Sequence, residues 1–469
     1  MSRPSPRAVR FLVLSLVAAC TRDALTPPSD APVVVTATVM AKSPSNPSVS
    51  STNPPFGDQG ATVDVKVIGS GFTSGAQATW LLHGTADAHV RTNTTTVVSS
   101  TELDANITIA SDATLAFWDV QVALVGGKNG VGADVFEVTT AQQLSTESTP
   151  YVRATNDLLE IAGGNSASPG FVYDDHDGAP ALVRLNGQAW GLVPDASIAV
   201  GRDASGNAAA WTRQTDGSWT ETILPAAPGS TGGTATGAAR TANGALLVSG
   251  YENLPAPRHS VVNEPVVWQF DGTTWSSPAV YAYPAGATTA GARAVASVGV
   301  IVGAVDANGD LNASATGAVW DSPSTPTRFD GLPIGINSAG TLVVGQRNGV
   351  PVYWWRDKTS GLWHTTGVAL PSIAGTSCPG GQADGLNDAG TVVGYSCNSN
   401  GANQATVWRL DFSGATPVLV GSATALSGLG STGGRNANVS EAVGVSQSNV
   451  AGGWALSGGQ QYIVRWRLP

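Results

Sequence analysis

The chain has 469 residues, of which 57 are Gly and only 12% are charged, with 33 acidic against 23 basic side chains. That length exceeds one ordinary domain, and an acidic balance without a Lys/Arg cluster argues against a nucleic-acid-binding protein. Val, Thr, Ser, Gly and Trp are abundant, whereas the helix formers Glu, Lys and Met are scarce. This composition is typical of many short strands joined by tight turns, so we predict an all-β fold.

The N-terminus has the three parts of an export signal. Three Arg side chains lie within the first ten residues, an apolar run covers residues 11–17, and Ala18-Ala19-Cys20 follows. Val17-Ala18-Ala19-Cys20 resembles the lipobox of bacterial lipoproteins. The resemblance implies a signal peptide at residues 1–19, cleavage before Cys20 and a lipid on its thiol. The alternative is an ordinary export signal with an incidental Cys. The apolar run is too short to span a membrane.

Several expectations about location follow from that anchor. Residues 20–32 are rich in Pro, Ser and Thr and predict a flexible tether. Thr21 directly after the lipidated Cys favours sorting to the outer membrane or cell surface. Removal of residues 1–19 takes away three Arg and no acid, which leaves 20 basic against 33 acidic residues. We therefore expect a membrane partner through the lipid only, no nucleic-acid partner, no cofactor and a monomer.

Two further cysteines, Cys378 and Cys397, flank one apolar strand segment. In an exported protein oxidation is favoured, so we predict a disulfide between them. Two free thiols are the alternative. Metal binding is disfavoured, because no His lies near either Cys and the spacing matches no zinc pattern.

Residues 33–140 show period-two alternation that predicts about seven short strands and hence a β-sandwich. The expected strands are 33–39, 62–68, 76–82, 95–99, 103–109, 118–125 and 135–139. The segment Gly60-Ala61-Thr62-Val63-Asp64-Val65-Lys66-Val67-Ile68-Gly69-Ser70-Gly71-Phe72 resembles the opening of an IPT/TIG domain, and Trp118-Asp119-Val120-Gln121-Val122 resembles a later strand of that family. The resemblance implies an immunoglobulin-like sandwich used as a spacer or binding module. Trp80 and Trp118 are expected to pack its core.

Residues 151–469 repeat one unit seven times. Each unit has an apolar pair or triplet closed by a Gly and then an aromatic residue on a further strand. The glycines are Gly164, Gly201, Gly250, Gly303, Gly345, Gly394 and Gly444, and the aromatics are Tyr173, Trp211, Trp268, Trp320, Trp354 or Trp355, Trp408, and Trp454 or Trp466. Units of roughly 40–50 residues with three or four strands predict a β-propeller of about seven blades. The run Tyr462–Leu468 is expected to close the ring beside the first blade, leaving no open edge.

This region also resembles a named family. The segments Ile336-Asn337-Ser338-Ala339-Gly340-Thr341-Leu342-Val343-Val344-Gly345 and Leu386-Asn387-Asp388-Ala389-Gly390-Thr391-Val392-Val393-Gly394 resemble the extracellular HAF-type repeats. The later Ala208-Ala209-Ala210-Trp211 and Ala405-Thr406-Val407-Trp408 resemble the second half of that repeat. The family supplies no catalytic residues to transfer to this chain.

Candidate chemistry is sparse along the sequence. Asp306, Asn308 and Asp310 place side-chain oxygens at alternate positions, as Ca²⁺ prefers, but Asp, Asn and Gly also form ordinary turns. The five histidines have no partners at metal-ligand spacing and are interpreted as solvated: His83, His89, His176, His259 and His364. Glu160, Glu264 and Glu441 are acids near strands, and nothing in their sequence context marks them as catalytic. No known catalytic motif occurs.

Most Trp residues occupy the repeated strand position and are expected in the core. Trp354-Trp355 is the exception, because adjacent strand residues face opposite ways and Trp355 is therefore a candidate ligand-binding residue. The leading hypothesis is a non-enzymatic surface protein that binds or scaffolds a protein or glycan through propeller loops. The alternative is a propeller enzyme, a glycoside hydrolase or lyase that acts on extracellular polysaccharide. It requires acidic, Tyr, His or Arg side chains to converge at the propeller mouth. A third interpretation is a structural spacer.

Overall fold

A computed structural model of the chain describes residues 46–53, 56–110, 112–114, 116–139, 141–148, 151–165, 168–174, 181–255, 262–308, 311, 316–429 and 439–468. The fold is all-β, with 58% of the residues in strands and no α-helix among the described residues. A short 3-10 helix covers Gly375–Ser377. Within the described part of the chain, no helix has the length and hydrophobicity needed to cross a membrane. The predicted strand at 33–39 and Cys20 lie outside the described residues.

Residues 46–139 form two sheets. Sheet A has the strand order β1-β3-β7-β6 and sheet B the order β2-β9-β8-β4-β5; β2 pairs β9 in parallel and the other pairs are antiparallel. The strands are β1 (Ser48–Asn53), β2 (Phe56–Asp58), β3 (Thr62–Ser70), β4 (Gln77–Leu82), β5 (Thr85–Ala86), β6 (Val90–Ser99), β7 (Glu102–Ile109), β8 (Phe117–Ala123) and β9 (Asn129–Thr139).

A hydrophobic core joins the two sheets. In β3 the alternating residues Val63, Val65 and Val67 are buried while their neighbours are exposed, as the period-two pattern predicts. Trp80 and Trp118 are fully buried in this core. Ser48–Asn53 also forms a strand, although the sequence analysis predicted none there. The strand was missed because most of its side chains are small and polar and only two of the six are buried.

Seven further sheets follow, numbered here 1 to 7. Sheets 1 to 3 each contain four consecutive antiparallel strands. Sheet 1 has β11 (Val152–Thr155), β12 (Ile161–Asn165), β13 (Ser168–Asp174) and β14 (Ala181–Leu185); sheet 2 has β15 (Gly187–Leu192), β16 (Ile198–Asp203), β17 (Ala208–Arg213) and β18 (Trp219–Ile223); sheet 3 has β19 (Gly233–Arg240), β20 (Leu246–Leu254), β21 (Val262–Phe270) and β22 (Ala279–Val280).

Sheets 4 and 5 repeat this order, sheet 6 has a fifth strand that also pairs with its third strand, and sheet 7 differs in its outer strand. Sheet 4 has β23 (Thr289–Val295), β24 (Ile301–Asp306), β25 (Thr316–Trp320) and β26 (Pro326–Phe329); sheet 5 has β27 (Leu332–Ile336), β28 (Leu342–Arg347), β29 (Val350–Trp355) and β30 (Val368–Ala369); sheet 6 has β31 (Gly381–Leu386), β32 (Thr391–Cys397), β33 (Asn403–Asp411), β34 (Val418–Leu419) and β35 (Thr424–Ala425); sheet 7 has β36 (Ser440–Val445), β37 (Val450–Ser457) and β38 (Gln460–Arg467), completed by β10 (Gln142–Gln143).

The second strand of every sheet carries a Gly that faces the backbone of the first strand. A Cβ on this Gly would lie 1.9–2.2 Å from a carbonyl oxygen of the first strand, so only Gly fits. These residues are Gly163, Gly201, Gly250, Gly303, Gly345, Gly394 and Gly453. Five of the seven predicted positions are therefore confirmed. Gly164 and Gly444 were wrong: Gly164 is one residue late, and Gly444 belongs to the first strand of sheet 7.

The repeated aromatic residue lies on the third strand and is buried. In sheets 2 to 7 it is Trp211, Trp268, Trp320, Trp354, Trp408 and Trp466, each no more than 1% exposed, and in sheet 1 it is Tyr173. The indole N–H of Trp268, Trp320, Trp408 and Trp466 donates to a backbone carbonyl at 2.7–2.8 Å. Of the alternatives left open by the sequence, Trp354 and Trp466 hold the repeated position; Trp355 and Trp454 do not.

Each sheet packs against the next through a hydrophobic cluster. Trp268 of sheet 3, for example, packs with Val200 of sheet 2, and Trp320 of sheet 4 with Val267 of sheet 3. The last such cluster joins Ile463 of sheet 7 to Val152 and other residues of sheet 1. Sheet 7 therefore contacts both sheet 6 and sheet 1.

The C-terminal strand does not pair with sheet 1. Instead, β38 takes β10 as its outer neighbour, with Gln142 opposite Arg465 and Gln143 opposite Val464. A segment before the first repeat thus completes the sheet built from the last repeat. The run Tyr462–Leu468 was predicted to lie beside the first repeat; its strand partners are instead β37 and β10.

The Asn of the repeated turn connects neighbouring sheets. The Oδ1 atom of Asn387 accepts hydrogen bonds from the backbone N–H groups of Ala389 and Thr391 at 3.1 and 3.0 Å. Its Nδ2 donates to the backbone oxygen of Ser446 in sheet 7 at 3.0 Å. Asn156 acts in the same way between sheets 1 and 2, where its Nδ2 donates to the Val193 oxygen at 3.2 Å. The Asn thus stabilises its own turn and donates a hydrogen bond to a backbone carbonyl of the neighbouring sheet.

Candidate functional site

The first strand of each of the seven sheets contains a β-bulge. At the bulge one residue of the first strand has no partner on the second strand. This residue directly follows the one that pairs with the repeated Gly of the second strand. A bulge leaves its extra residue outside the ladder and redirects the side chain. The extra residues are Arg153, Trp190, Thr236, Arg293, Ile334, Asp384 and Val443.

All seven bulge residues line one cavity, which we call the seven-sheet cavity. Its volume is about 740 Å³, and every sheet contributes its first strand to the lining. Volumes of roughly 300–1,000 Å³ are typical of small-molecule sites. The first strands approach closely because a small residue follows each bulge; a Cβ on Gly385, for instance, would lie 2.8 Å from the Cα of Gly444. The sequence places these side chains about fifty residues apart, and the bulges bring them together.

Two arginines carry positive charge into this cavity. The guanidinium of Arg153 lies over the ring of Trp190, 3.8 Å from its centroid. Arg293 is surrounded by protein but reached by solvent through the cavity, and burial lowers its pKa. Burial also lowers the pKa of Arg153, with a further contribution from the positive charge of Arg293. Both remain cations at neutral pH, because guanidinium groups do not deprotonate in proteins.

Two carboxyl groups, Asp384 and Glu441, line the same cavity from sheets 6 and 7. Burial raises the pKa of Asp384 well above its usual value, and the nearby Glu441 adds to the effect; Gln382, whose Nε2 donates to Asp384 Oδ1 at 2.6 Å, opposes it. Burial likewise raises the pKa of Glu441 to about 7, against the opposing hydrogen bond from Trp454 and the charge of Arg153. The Oδ2 atom of Asp384 is buried without a hydrogen-bond partner.

The two ends of the cavity differ in charge. Where the first strands finish, the rim carries Asp157 and Asp388, linked into a chain of turns: Ser338 N–H donates to Asp388 at 2.9 Å and Gln447 N–H to Asp157 at 2.6 Å. Burial, with contributions from Asp195 and Asp388, raises the pKa of Asp157. The opposite end is lined by Arg202, Tyr251, Asn253 and Asn263.

The predicted disulfide is present and lies away from this cavity. Cys378 and Cys397 are bonded, with a Cα–Cα distance of 5.7 Å, and join the segment before β31 to the end of β32. Trp355 also lies outside the cavity lining. It is only 9% exposed, and its ring stacks on His364 at 4.0 Å. Both members of the Trp354-Trp355 pair are therefore covered.

The remaining sequence candidates are dispersed. Asp306 Oδ1 accepts the Asn308 N–H at 2.6 Å, as in a tight turn, while Asp310 lies outside the described residues. Among the described residues, no group of three or more His, Cys, Asp or Glu is placed to hold a metal ion. His83 and His89 are exposed in the part of the chain that forms the first two sheets, with His89 Nδ1 2.5 Å from an oxygen of Asp87, and His176 and His259 fall outside the described residues.

Of the three acids near strands, Glu441 lines the cavity and the other two do not. Glu160 is buried in sheet 1, where its carboxylate accepts a hydrogen bond from Asn156 at 2.7 Å. Glu264 lies opposite Glu252 on β21 and β20, and burial raises the pKa of both carboxyls. Sequence reasoning missed Arg153, Arg293 and Asp384. The signal that could locate them is the Gly or Ala that directly follows the bulge residue, on a short segment before the repeated Gly of the second strand.

Comparisons with known proteins add little. No family model matches the chain, and no curated protein matches it. Among solved structures, the crystal structure of a DUF4784 family protein from Bacteroides caccae aligns over 78% of this chain and 93% of its own, at 12% identity and a TM-score of 0.23. A likeness of this size carries no argument about fold or function.

Proposed function

We propose that the chain is an exported, lipid-anchored surface protein that binds a glycan in the centre of a seven-bladed β-propeller. In this proposal residues 1–19 are a signal peptide, Cys20 carries the lipid, 20–32 are the tether, and the first two sheets form an IPT/TIG-like sandwich. Sheets 1 to 7 are the blades, related to HAF-type repeats. The proposal assigns no catalytic residue and places the protein at the cell surface or outer membrane.

Packing supports the propeller. Seven sheets of the same strand order pack in sequence, the last contacts the first, and a strand from before the first sheet completes the last one. Propellers commonly close by such a shared blade, which removes an open edge. The two sheets of 46–139 with one core between them likewise support a sandwich.

One observation carries the binding role: seven bulges direct one side chain each into a single cavity that contains charged and polar groups. A spacer has no need of this arrangement, since two arginines and two carboxyls at the centre cost stability that apolar residues would not. Polar groups that converge in a roomy cavity are typical of a ligand site. A glycan fits because Tyr, Asn, Gln, Thr and Arg supply donors to hydroxyl and ring oxygens, while Trp190 supplies an aromatic surface.

A glycan array combined with a depolymerisation screen tests this function. Saturable binding without product release supports it, and Thr236→Trp, which fills the cavity from sheet 3, is expected to abolish that binding. Absence of binding across the array would contradict it. Cys20→Ser, compared with the unchanged chain for incorporation of labelled fatty acid, tests the anchor separately.

A second candidate is hydrolysis of the glycan. It is favoured by one observation, namely that two carboxyl groups, Asp384 and Glu441, line the same cavity and burial raises the pKa of both, that of Glu441 to about 7, as a general acid requires. Product release in the screen, lost in Asp384→Asn, would replace the binding role by this one.

A further inference from the structure

Within the described structure, Arg293 lines the seven-sheet cavity from the bulge of sheet 4. It has no hydrogen bond or ion pair there; its electrostatic neighbours are Tyr251 and Asp384. Several other arginines are paired with carboxylates, among them Arg240 with Asp195 at 2.6 Å and Arg347 with Asp330 at 2.7 Å. The Arg293 side chain is reached by solvent and has no such pair, so its guanidinium is available to an anion that enters the cavity.

The acids of the cavity do not supply that partner. Burial raises the pKa of Asp384 well above its usual value and so disfavours its charged form. Burial also raises the pKa of Glu441 to about 7, and the charge of Arg153 opposes this shift. The two guanidinium groups therefore face two carboxyl groups whose charged forms burial disfavours, and the guanidinium groups attract an anion that enters the cavity.

We propose that the seven-sheet cavity binds a carboxylate-bearing sugar residue, of the uronate type, with its carboxylate on Arg293 and Arg153 alongside. Guanidinium groups bind carboxylates through paired, charge-assisted hydrogen bonds. This inference rests on the proposed glycan-binding function and narrows it to acidic glycans.

The rims indicate the direction of entry. Asp157 and Asp388 line one end and repel an anion, whereas Arg202, Asn253 and Asn263 line the other. An acidic chain end therefore enters past Arg202, with its carboxylate drawn towards the central guanidinium groups. The polar amides of Asn253 and Asn263 lie where the following sugar residues would pass.

Affinity should fall as the pH rises through about 7. Over that range Glu441 becomes ionised and competes with the ligand carboxylate for the positive charge, while the ligand itself stays ionised. The titratable groups that face Glu441 or lie across the cavity from it are Arg153, Arg293, Asp384, Tyr251 and Tyr395. Of these, Tyr395 stays neutral over this range, because burial, with help from the two acids, raises its pKa to about 12. Glu441→Gln is expected to flatten the dependence.

The test is calorimetric titration of the purified full chain with acidic oligosaccharides: fragments of homogalacturonan, glucuronan and alginate, and sialyllactose. Each is compared with its methyl ester, with neutral galactotriose and with plain citrate. Esterification and Arg293→Gln should each weaken binding roughly 10- to 100-fold, the factor expected for loss of a charge-assisted hydrogen bond. Arg293→Lys should retain part of the affinity. The control Arg184→Gln changes an exposed arginine of β14 and should have no effect.

Equal binding of acids and esters overturns the inference, as does full affinity in a folded Arg293→Gln protein. If that variant does not fold, the ester comparison decides alone. If citrate binds as tightly as the saccharides, the cavity recognises a carboxylate without the sugar, which contradicts the proposal. Neutral glycans that bind while every acidic probe fails would leave glycan binding intact and refute the acidic class; failure of both refutes both.

Discussion

Replacement of Glu441 by Gln should make the protein more stable at alkaline pH and leave it nearly unchanged at acidic pH. The side chain keeps its size, and a Gln oxygen can still accept the hydrogen bond that Trp454 donates to the carboxyl. Only the titration is lost. The variant therefore isolates the cost of placing a charge at this position of the cavity.

The magnitude follows from the shift in pKa. Glu441 moves from 4.5 to about 7 on folding, so the folded protein holds this proton more tightly than the unfolded chain. Its stabilising contribution is complete below about pH 4.5 and is lost as the pH rises through 7. At ~1.36 kcal/mol per pKa unit the full loss is about 3 kcal/mol, of which roughly 2.5 kcal/mol falls between pH 5 and pH 8.

The assay is urea unfolding of both proteins at pH 5 and pH 8, followed by Trp fluorescence. The free energy of unfolding of Glu441→Gln minus that of the parent should rise by about 2–3 kcal/mol between the two pH values. Glu147→Gln, at an exposed carboxylate with 62% of its side chain accessible, serves as the control and should show no such rise. A difference that is flat with pH, or that falls, would refute the reasoning.

Three more perturbations test the framework. Joint replacement of Cys378 and Cys397 by Ala should lower the free energy of unfolding by about 3 kcal/mol, since the bond closes a loop with a sequence separation of 19. Gly394→Ala should cost about 3 kcal/mol or more, because its Cβ would lie 2.1 Å from a carbonyl oxygen of the first strand. Trp355→Ala should cost about 3–5 kcal/mol through the cavity it leaves and should not change ligand affinity, because Trp355 lies outside the seven-sheet cavity.

Denaturant unfolding measures all three, and each has its own contrary result. The Cys variant should match the reduced parent protein; a gap between them would mean that the substitution acts by something besides the bond. Gly414→Ala is the control for Gly394→Ala, since the nearest atom to its Cβ would be 3.8 Å away, and equal costs for the two would contradict the steric argument. Weakened binding in a stable Trp355→Ala protein would restore that residue as a ligand contact.

The repeat was predictable because its strongest signals are physical requirements of the second and third strands. A Gly is needed where two backbones approach, and a buried Trp fills the space between sheets, so Gly394 and Trp408 stand out in the sequence. The first strands were not predicted. They are short and bulged, and the bulge breaks the alternation of apolar and polar residues on which strand recognition depends. Sheet 1 was misaligned by one residue because Gly163 and Gly164 are adjacent, and in sheet 7 the first strand, which contains Gly444, was taken for the second.

The site was not predictable from the same patterns. Arg153, Arg293 and Asp384 share no residue type and no local motif; what they share is the extra position in a bulge. Once that position is known, each can be located from the small residues around it. Glu441 is different again, because it precedes its bulge and reaches the cavity from the strand itself.

The pairing of β10 with β38 has a consequence for the order in which the molecule folds. It joins the segment after the first two sheets to the last strand of sheet 7, and Arg467 Nη1 donates a hydrogen bond to Glu137, 330 positions away, at 3.0 Å. Contacts over such separations form late, because the loop between them must close first. The seventh sheet therefore stays incomplete until β10 pairs with β38. Until then the outer edge of β38 is unpaired, and an unpaired strand edge can pair with another chain.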